Sequence, residues 1–195
     1  MASGQSVRVF IGLGANMGGP RDTLEKAVTA LAALPGASLR RVSPLYRTRP
    51  VGVADQPDFL NAVVALDVPA GPDPETGALA VLAALKELEV ALGRRPGRRW
   101  GPRIIDLDLL LFGAHQLDVV RPDGRWLTVP HPEMAQRLFV LQPLADVAPR
   151  LRPPGWNETI AAARRRRRAA EGPAAVVRLT NAGDWAQRSP GGPTT

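Results

Sequence analysis

Residues 93–113 read Gly-Arg-Arg-Pro-Gly-Arg-Arg-Trp-Gly-Pro-Arg-Ile-Ile-Asp-Leu-Asp-Leu-Leu-Leu-Phe-Gly. The first half is a loop punctuated by Gly and Pro, with five arginines and one tryptophan, and the second half is an apolar run interrupted only by Asp106 and Asp108. A short apolar run bounded by Gly and Pro predicts a buried strand over residues 104–112. Because side chains alternate along a strand, the two acids project from one face, with Cα atoms roughly 6.5–7 Å apart, while Leu107 and Leu109 face the other way.

Two carboxylates on one face of an apolar strand need a positive partner, because burying an unpaired charge is costly. One interpretation is an internal network between these acids and the arginines of the preceding loop. The other is Mg²⁺, which favours one or two carboxylates together with water and substrate phosphates. The arginines would then hold phosphate oxygens as planar donors, and Trp100 would contact a flat ring. The residues themselves favour Mg-nucleotide chemistry and leave the Arg–Asp network open.

The composition is that of a globular protein. The 195 residues are 45% hydrophobic, which suffices for one substantial core. Cysteine is absent, so disulfides and thiolate metal sites are excluded. With no signal peptide and no apolar run long enough to cross a bilayer, we expect a cytoplasmic protein without membrane contact. The net charge is +7, but residues 164–168 supply five of those charges in one block, which weakens a nucleic-acid interpretation.

The order of predicted elements indicates the fold class. Hydrophobic periodicity predicts three strands before residue 70, a helix after the first of them, and a second helix that leads to the Asp106 strand. Asp22 or Thr23 is expected to cap the first helix. This order predicts an α+β fold, a ferredoxin-like βαββαβ sandwich with a C-terminal extension. The elements are a strand at 7–13, a helix at 21–34, strands at 37–47 and 59–68, a helix at 74–92 and the strand at 104–112.

Several single residues stand out against their surroundings. Glu89 lies on or beside the apolar side of the second helix near its C-terminus, where an acid opposes the helix dipole unless Arg94 or a ligand offsets it. Asn61 follows Phe59 on the same strand face; such an amide either satisfies a structural hydrogen bond or reads the edge of a heterocycle. His131 stands between two prolines, and the sequence leaves a structural and a ligand-binding role equally open.

The composition changes after residue 150. We predict a domain over residues 1–149 and an Arg-rich extension over residues 150–195. Within the extension, the sequence predicts a short helix at 158–170, a possible strand at 175–179 and a polar tail from residue 188. The arginines at 164–168 are expected to form a solvated face that catalysis does not require.

Taken together, the motifs resemble the 6-hydroxymethyl-7,8-dihydropterin pyrophosphokinases of folate biosynthesis. The segments that match that family follow its order over residues 7 to about 149. They are Gly12-Leu-Gly-Ala-Asn16, Ser43-Pro-Leu-Tyr-Arg-Thr48, Gly52-Val-Ala-Asp-Gln-Pro-Asp-Phe-Leu-Asn61, Gly93-Arg94, Arg99-Trp-Gly-Pro-Arg-Ile-Ile-Asp-Leu-Asp108, and Val129-Pro-His-Pro132 with Arg137 and Phe139.

The resemblance implies a monomeric enzyme that transfers the β,γ-diphosphate of ATP to the hydroxymethyl oxygen of a dihydropterin. It implies two Mg²⁺ ions on Asp106 and Asp108, and catalytic roles for Arg94 and Arg103. The chain departs from the family in a loop that lacks lysine and in Lys86, where glutamine is common. By the same resemblance, the ATP-binding residues are Lys86, Glu89, Trp100, Arg103, His131 and Arg137, and the pterin-binding residues are Thr48, Val51, Phe59, Asn61, Trp100 and Phe139.

An RNA-binding module is the main alternative, because ferredoxin-like sheets also host RNA recognition. The aromatic strand pattern of such modules is missing, and aromatic residues make up only 5% of the chain. Asp106 and Asp108 also place negative charge where a nucleic acid would bind. We therefore expect ATP and a dihydropterin as ligands and no nucleic acid.

Overall fold

A computed structural model describes residues 5–50, 55–95, 97, 101–121 and 123–186. Eight strands and four α-helices are found in this part of the chain, together with one short 3-10 turn, Met134–Gln136. In chain order the elements are β1 (Ser6–Ala15), α1 (Pro20–Ala32), β2 (Ser38–Val42), β3 (Tyr46–Thr48), β4 (Phe59–Pro69), α2 (Pro74–Ala91), β5 (Asp106–Phe112), β6 (Leu117–Val120), β7 (Trp126–Val129), α3 (Leu138–Val147), α4 (Ile160–Glu171) and β8 (Val176–Arg178).

The main sheet is antiparallel and has β1 and β4 at its centre. Its strand order is β5-β1-β4-β3-β8, and β2 pairs with β4 beyond the end of β3. Strands β6 and β7 form a separate antiparallel hairpin. Helices and an antiparallel sheet within one fold confirm the predicted α+β class.

Helices cover both faces of the sheet. One face packs against α1 and α2, through residues such as Leu24, Leu85 and Leu107. The opposite face packs against α3 and α4, and its cluster includes Leu110 and Ile160. Strand alternation explains the division, because odd-numbered residues of β1 and even-numbered residues of β4 enter the first cluster.

The first helix begins earlier than the sequence indicated. Helix α1 begins at Pro20, and its N-cap is Gly19, whose φ is 81°. The predicted caps, Asp22 and Thr23, are wrong because both residues lie inside the first turn. Proline has a φ suited to the first helical position and no N–H to leave unsatisfied there, so it fixes the start.

The single strand predicted over residues 37–47 is wrong: the structure divides it into β2 and β3. Pro44 has no N–H to donate to a ladder, and the strand breaks around it. Ser43 replaces part of the missing pairing, because its Oγ donates to the Pro44 carbonyl (2.7 Å) and accepts from the Val63 N–H (3.0 Å). The break leaves β3 as a short strand that carries Thr48.

The helix and strand predicted after residue 150 are confirmed as α4 and β8. Helix α4 packs on α3, and β8 adds to the sheet beside β3. Trp185 is fully buried in the α1–α2 core and donates its Nε1–H to the Ser43 carbonyl at 2.8 Å. Residues on both sides of the predicted boundary at residue 150 therefore share packed clusters. None of the helices described is long and apolar enough to cross a bilayer.

Candidate active site

A cavity of about 720 Å³ opens on the α3–α4 face of the sheet. Alternation along the strands brings its polar side chains to this one face, since β1, β4 and β5 lie side by side there. With neighbouring strands about 4.8 Å apart, β5 and β3 lie roughly 14 Å from each other. The predicted site residues that line the cavity are Thr48, Phe59, Asn61, Arg103, Asp106, Asp108, His131, Arg137 and Phe139.

The acids of β5 lie opposite glycines of β1. Asp108 pairs with Gly12 in the ladder, and Asp106 pairs with Gly14. A Cβ on Gly12 would lie 3.5 Å from the Leu110 side chain. A Cβ on Gly14 would also lie 3.2 Å from the Asn61 Oδ1. The glycines of the Gly-Leu-Gly-Ala-Asn motif thus keep the strand positions opposite the two carboxylates free of side chains.

Asp106 lies in an ionic network with two arginines. Its Oδ1 accepts from the Arg94 Nη1 at 2.6 Å, and its Oδ2 accepts from the Arg103 Nη1. Burial lowers the pKa of Arg94, but the neighbouring Asp106 and Glu89 charges more than offset this and raise it. The Arg–Asp network that the sequence left open therefore exists, and it engages the first acid.

Glu89 holds the inner end of this network. The side chain is only 2% exposed, and its Oε1 accepts from the Lys86 Nζ (2.8 Å), the Arg94 Nη1 (2.5 Å) and the Leu107 N–H (2.7 Å). These three donors explain how an acid is tolerated at the C-terminal end of α2. Among the described residues, Lys86, Glu89 and Arg94 are not part of the cavity lining; they lie behind Asp106 and fix its position.

Asp108 differs from Asp106 in its surroundings. Burial raises the pKa of Asp108, and the Asp106 charge raises it further. Within the described part of the chain it has no salt bridge within 4.0 Å, so its carboxylate faces the cavity without a direct cationic partner. Burial lowers the pKa of His131, although the Asp108 charge opposes this. The His131 Nδ1 accepts from the Glu133 N–H at 3.3 Å, which leaves Nε2 as the donor nitrogen of the neutral ring.

The β3 end of the cavity has amide, hydroxyl and aromatic groups. The Asn61 Nδ2 donates to the Thr48 Oγ1 at 2.7 Å, and both side chains are buried. This bond fixes the amide orientation, so the Asn61 Oδ1 points away from Thr48. Phe59 and Phe139 line the same end, and the Arg137 guanidinium lies 5.7 Å from the centre of the Phe139 ring, within cation–π range.

Asn16 was not predicted as a site residue, although its motif was noted. It is 3% exposed and makes three side-chain bonds. Its Nδ2 donates to the Gln56 Oε1 (3.1 Å) and to the Pro57 carbonyl (3.0 Å), while its Oδ1 accepts from the Arg103 N–H (2.7 Å). A buried amide at a strand end was the available signal. Asn16 joins the segment before β4 to the segment before β5, on two sides of the cavity.

Arg167 also lines the cavity, contrary to the prediction of a fully solvated arginine block. The helical period explains the difference, because Arg167 lies on the face that begins with the buried Ile160 and Ala163. Arg165 and Arg166 are exposed, as predicted. Two other predicted site residues, Val51 and Trp100, lie outside the described residues.

The carboxylates that line the cavity can be compared with the ligands that a metal cation prefers. Among the described residues, no group of three His, Cys, Asp or Glu side chains is placed to hold a metal ion by itself. Asp106 and Asp108 supply two neighbouring carboxylates that face the cavity. Mg²⁺ is commonly held by one or two carboxylates, with water and substrate phosphates completing its octahedron. The residues present therefore fit a cation that arrives with a phosphate ligand.

Fold and site together define an α+β protein whose cavity has paired acids and arginines at one end and an amide, a hydroxyl and aromatic rings at the other. The chain belongs to the 7,8-dihydro-6-hydroxymethylpterin-pyrophosphokinase family, whose model matches residues 10–149. It is 48% identical over 147 residues to the 2-amino-4-hydroxy-6-hydroxymethyldihydropteridine pyrophosphokinase of Pseudomonas aeruginosa, covering 75% of this chain and 84% of that one. The enzyme of the same name from Bacillus subtilis is 38% identical over 138 residues, or 71% of this chain and 76% of that one.

Solved structures agree on the fold. The wild-type HPPK-DHPS of Plasmodium falciparum superposes with a TM-score of 0.68 at 14% identity, covering 88% of this chain and 46% of that one. The present chain therefore spans less than half the length of that protein. At this identity the likeness concerns the fold alone, and it extends beyond the residues matched by the family model.

Proposed function

We propose that this protein transfers the diphosphate group of ATP to the hydroxymethyl oxygen of 6-hydroxymethyl-7,8-dihydropterin, giving AMP and the pterin diphosphate used in folate biosynthesis. The observation that carries the proposal is one cavity with Asp106, Asp108 and Arg103 at one end and the Asn61–Thr48 pair at the other. The first set suits a metal-bound polyphosphate, and the second suits the donor and acceptor edge of a flat heterocycle. Family membership supports both assignments.

At the polyphosphate end, we infer that Asp106 and Asp108 hold two Mg²⁺ ions that ATP brings with it. Bound there, the ions would neutralise phosphate charge and orient the transferring group. Asp108 suits this role because its carboxylate is desolvated and has no cationic partner within salt-bridge distance in the described chain. Asp106 is held in place by Arg94 and Arg103.

The arginines bind and orient charge in this scheme. Arg103 lines the cavity and donates to Asp106 through Nη1, so it lies where a phosphate oxygen can share its guanidinium. Arg94 lies behind Asp106, and we assign it a positioning role shared with Glu89 and Lys86. His131 and Arg137 line the cavity, where each acts electrostatically on Asp108, and they would donate to ATP oxygens. Phosphoryl-type transfer depends mainly on positioning and charge stabilisation, so a strong general base is not required.

At the heterocycle end, Asn61 is oriented by Thr48 and would read the amide edge of the pterin. Phe59 and Phe139 would contact its ring, with Val51 and Trp100 as further proposed contacts from the family resemblance. We also propose that the order β5-β1-β4 followed by β2 and β3 is a ferredoxin-like arrangement, with α3 and α4 added on the second face. We further propose that the enzyme is monomeric and cytoplasmic and that it binds neither nucleic acid nor membranes.

The test is a transfer assay with ATP, Mg²⁺ and the hydroxymethyl dihydropterin that separates AMP from ADP. Wild-type protein should form AMP and pterin diphosphate in equal amounts. Asp108→Asn should lower kcat by roughly 10³-fold or more, because charge stabilisation of this kind supplies several kcal/mol. Asp123→Asn, an exposed acid of the β6–β7 hairpin, is the matched control and should be unchanged.

Arg103→Lys provides a second arm of this test. Lysine keeps the charge but lacks the planar fork, so kcat should stay well below wild type. Formation of ADP in place of AMP would contradict the proposed reaction. Near-normal turnover of the Asp108 variant with Mg²⁺ would contradict the metal assignment alone.

A further inference from the structure

The C-terminal helix reaches the substrate cavity because it runs antiparallel to α3. Near its start, the Ile160 N–H donates to the Leu151 carbonyl at 2.9 Å, just beyond the C-terminal end of α3. Further along, the Arg168 Nη1 donates to the Gln142 Oε1 at 3.4 Å, in the first half of α3. The last turns of α4 therefore lie beside the beginning of α3, which carries Phe139.

One face of α4 changes from apolar to charged along its length. Ile160 and Ala163 are buried against α3, and Arg167 and Glu171 follow at spacings of four residues on the same face. Both charged residues line the cavity. The Arg167 side chain is 25% exposed, whereas the neighbouring Arg166 is 49% exposed and pairs with Glu158 away from the cavity lining. Only one arginine of this neighbouring pair therefore faces the site.

Glu171 holds the Arg167 guanidinium by one edge. Its Oε1 accepts from Nε at 3.1 Å and from Nη2 at 2.5 Å. This geometry fixes the plane of the guanidinium and leaves its Nη1 end outside the pair. A partly exposed i,i+4 ion pair adds little to stability. The more informative property is that the pair orients a planar donor at the wall of a binding cavity.

The sheet order places this donor at the heterocycle end. Phe139 packs with a cluster that includes Tyr46 and Val176, so it belongs to the β3–β8 side of the sheet. The β5 acids lie three strands away, roughly 14 Å at the usual strand spacing. Arg167 precedes Arg168, which contacts Gln142 in the first half of α3, and this indicates that Arg167 lies on the same side of the cavity as Phe139 and the amide and hydroxyl groups of β4 and β3.

We propose that Arg167 is a substrate-binding residue supplied by the C-terminal helix, with Glu171 as its positioning residue. Its ligand is the heterocyclic substrate, an amino-oxo fused ring whose carbonyl oxygen and ring nitrogens accept hydrogen bonds from the guanidinium. This assignment rests on the proposed function for the identity of the heterocycle. It extends the site beyond residue 149, into the segment that the family model does not match.

The test measures binding of the two substrates separately. Fluorescence titration with 6-hydroxymethylpterin, and calorimetry with the Mg²⁺ complex of α,β-methylene ATP, are run on Arg167→Met, Glu171→Gln and the control Arg166→Met. Methionine keeps much of the apolar stem of the side chain and removes the donors. Arg167→Met should raise the pterin Kd about tenfold, or about 1.4 kcal/mol, and leave the nucleotide Kd within twofold. Glu171→Gln should give a smaller rise in the pterin Kd, and Arg166→Met should match wild type.

Thermal unfolding of each variant separates binding from stability. A pterin Kd for Arg167→Met equal to that of Arg166→Met would overturn the proposal. So would a loss confined to the nucleotide, or equal losses for both ligands together with a lowered Tm, which would make Arg167 structural. If wild type binds pterin but forms no AMP, the proposed reaction fails while the binding result for Arg167 still stands.

Discussion

Asn16→Ala should weaken both stability and turnover, because one buried amide joins two walls of the site. The substitution removes the bonds to Gln56, Pro57 and the Arg103 N–H. At about 1 kcal/mol for each buried bond, the free energy of unfolding should fall by about 3 kcal/mol. The Asn16 N–H still donates to the Arg103 carbonyl at 3.0 Å in this variant. Loss of the side-chain bond to the Arg103 N–H should nevertheless lower kcat by about tenfold, since small displacements of positioning groups are costly.

The assays are urea unfolding and AMP formation under saturating substrate. Asn157→Ala is the matched control, because that asparagine is exposed just before α4. Asn16→Asp adds a second arm: its carboxylate still accepts from the Arg103 N–H but cannot donate to Gln56 or Pro57. Turnover of Asn16→Asp should therefore exceed that of Asn16→Ala, while stability remains lowered. The reasoning is refuted if Asn16→Ala unfolds within about 0.5 kcal/mol of the control and retains its kcat.

Three further changes test the packing around the site by urea unfolding. Trp185→Ala should lower the free energy of unfolding by about 3–5 kcal/mol, because the indole is fully buried and hydrogen-bonded. The control Trp126→Ala, at a site 62% exposed, should lower it by less than about 0.5 kcal/mol. Equal effects of the two substitutions would mean that the extension is a separate unit. Tyr46→Phe should cost about 1.5–3 kcal/mol near neutral pH, because the phenol donates to Asp146 at 2.5 Å. Burial and that bond raise the Tyr46 pKa to about 12 from 10.0. The free energy of unfolding of wild type should therefore exceed that of Tyr46→Phe below pH 10, and this difference should shrink between about pH 10 and 12. A difference in stability that stays constant across that range would contradict the proposed effect of the bond. Gly77→Ala should lower the free energy of unfolding by about 2–3 kcal/mol, since the new Cβ would lie 2.0 Å from the Ala70 carbonyl oxygen. An unchanged urea midpoint would show that α2 shifts freely to make room for it.

Local patterns in the sequence predicted the main elements well. The alternation in β5 correctly placed Asp106 and Asp108 on one face. Helical periodicity located α2 within a few residues, and the short helix predicted in the Arg-rich extension coincides with α4 to the same precision. The start of α1 was harder to predict, because Pro20, Asp22 and Thr23 are all residue types that occur at or near the first position of a helix. The break between β2 and β3 depends on Pro44, and its effect depends on the long-range bond from Val63 to Ser43.

The candidate site depended more strongly on contacts between distant segments. Resemblance identified nine of the residues that line the cavity. It did not separate them from Glu89 and Lys86, which the fold places behind Asp106. Predicting the role of Asn16 would have required knowing that the segments near Gln56 and Arg103 converge on the end of β1. Local charge patterns describe a solvated block well, but they do not reveal which turn of a helix meets a cavity.

The pairing of Trp185 with Ser43 has a consequence for how the chain folds during synthesis. The two residues are 142 positions apart, so a growing chain exposes Ser43 long before its indole partner leaves the ribosome. Until β8 arrives, β3 is an uncovered sheet edge, which is a template for wrong strand pairing. Contacts of such long sequence separation also slow folding. A nascent chain stalled before residue 176 should therefore depend on chaperones more than the completed protein does, and its edge strand should be the first place where it aggregates.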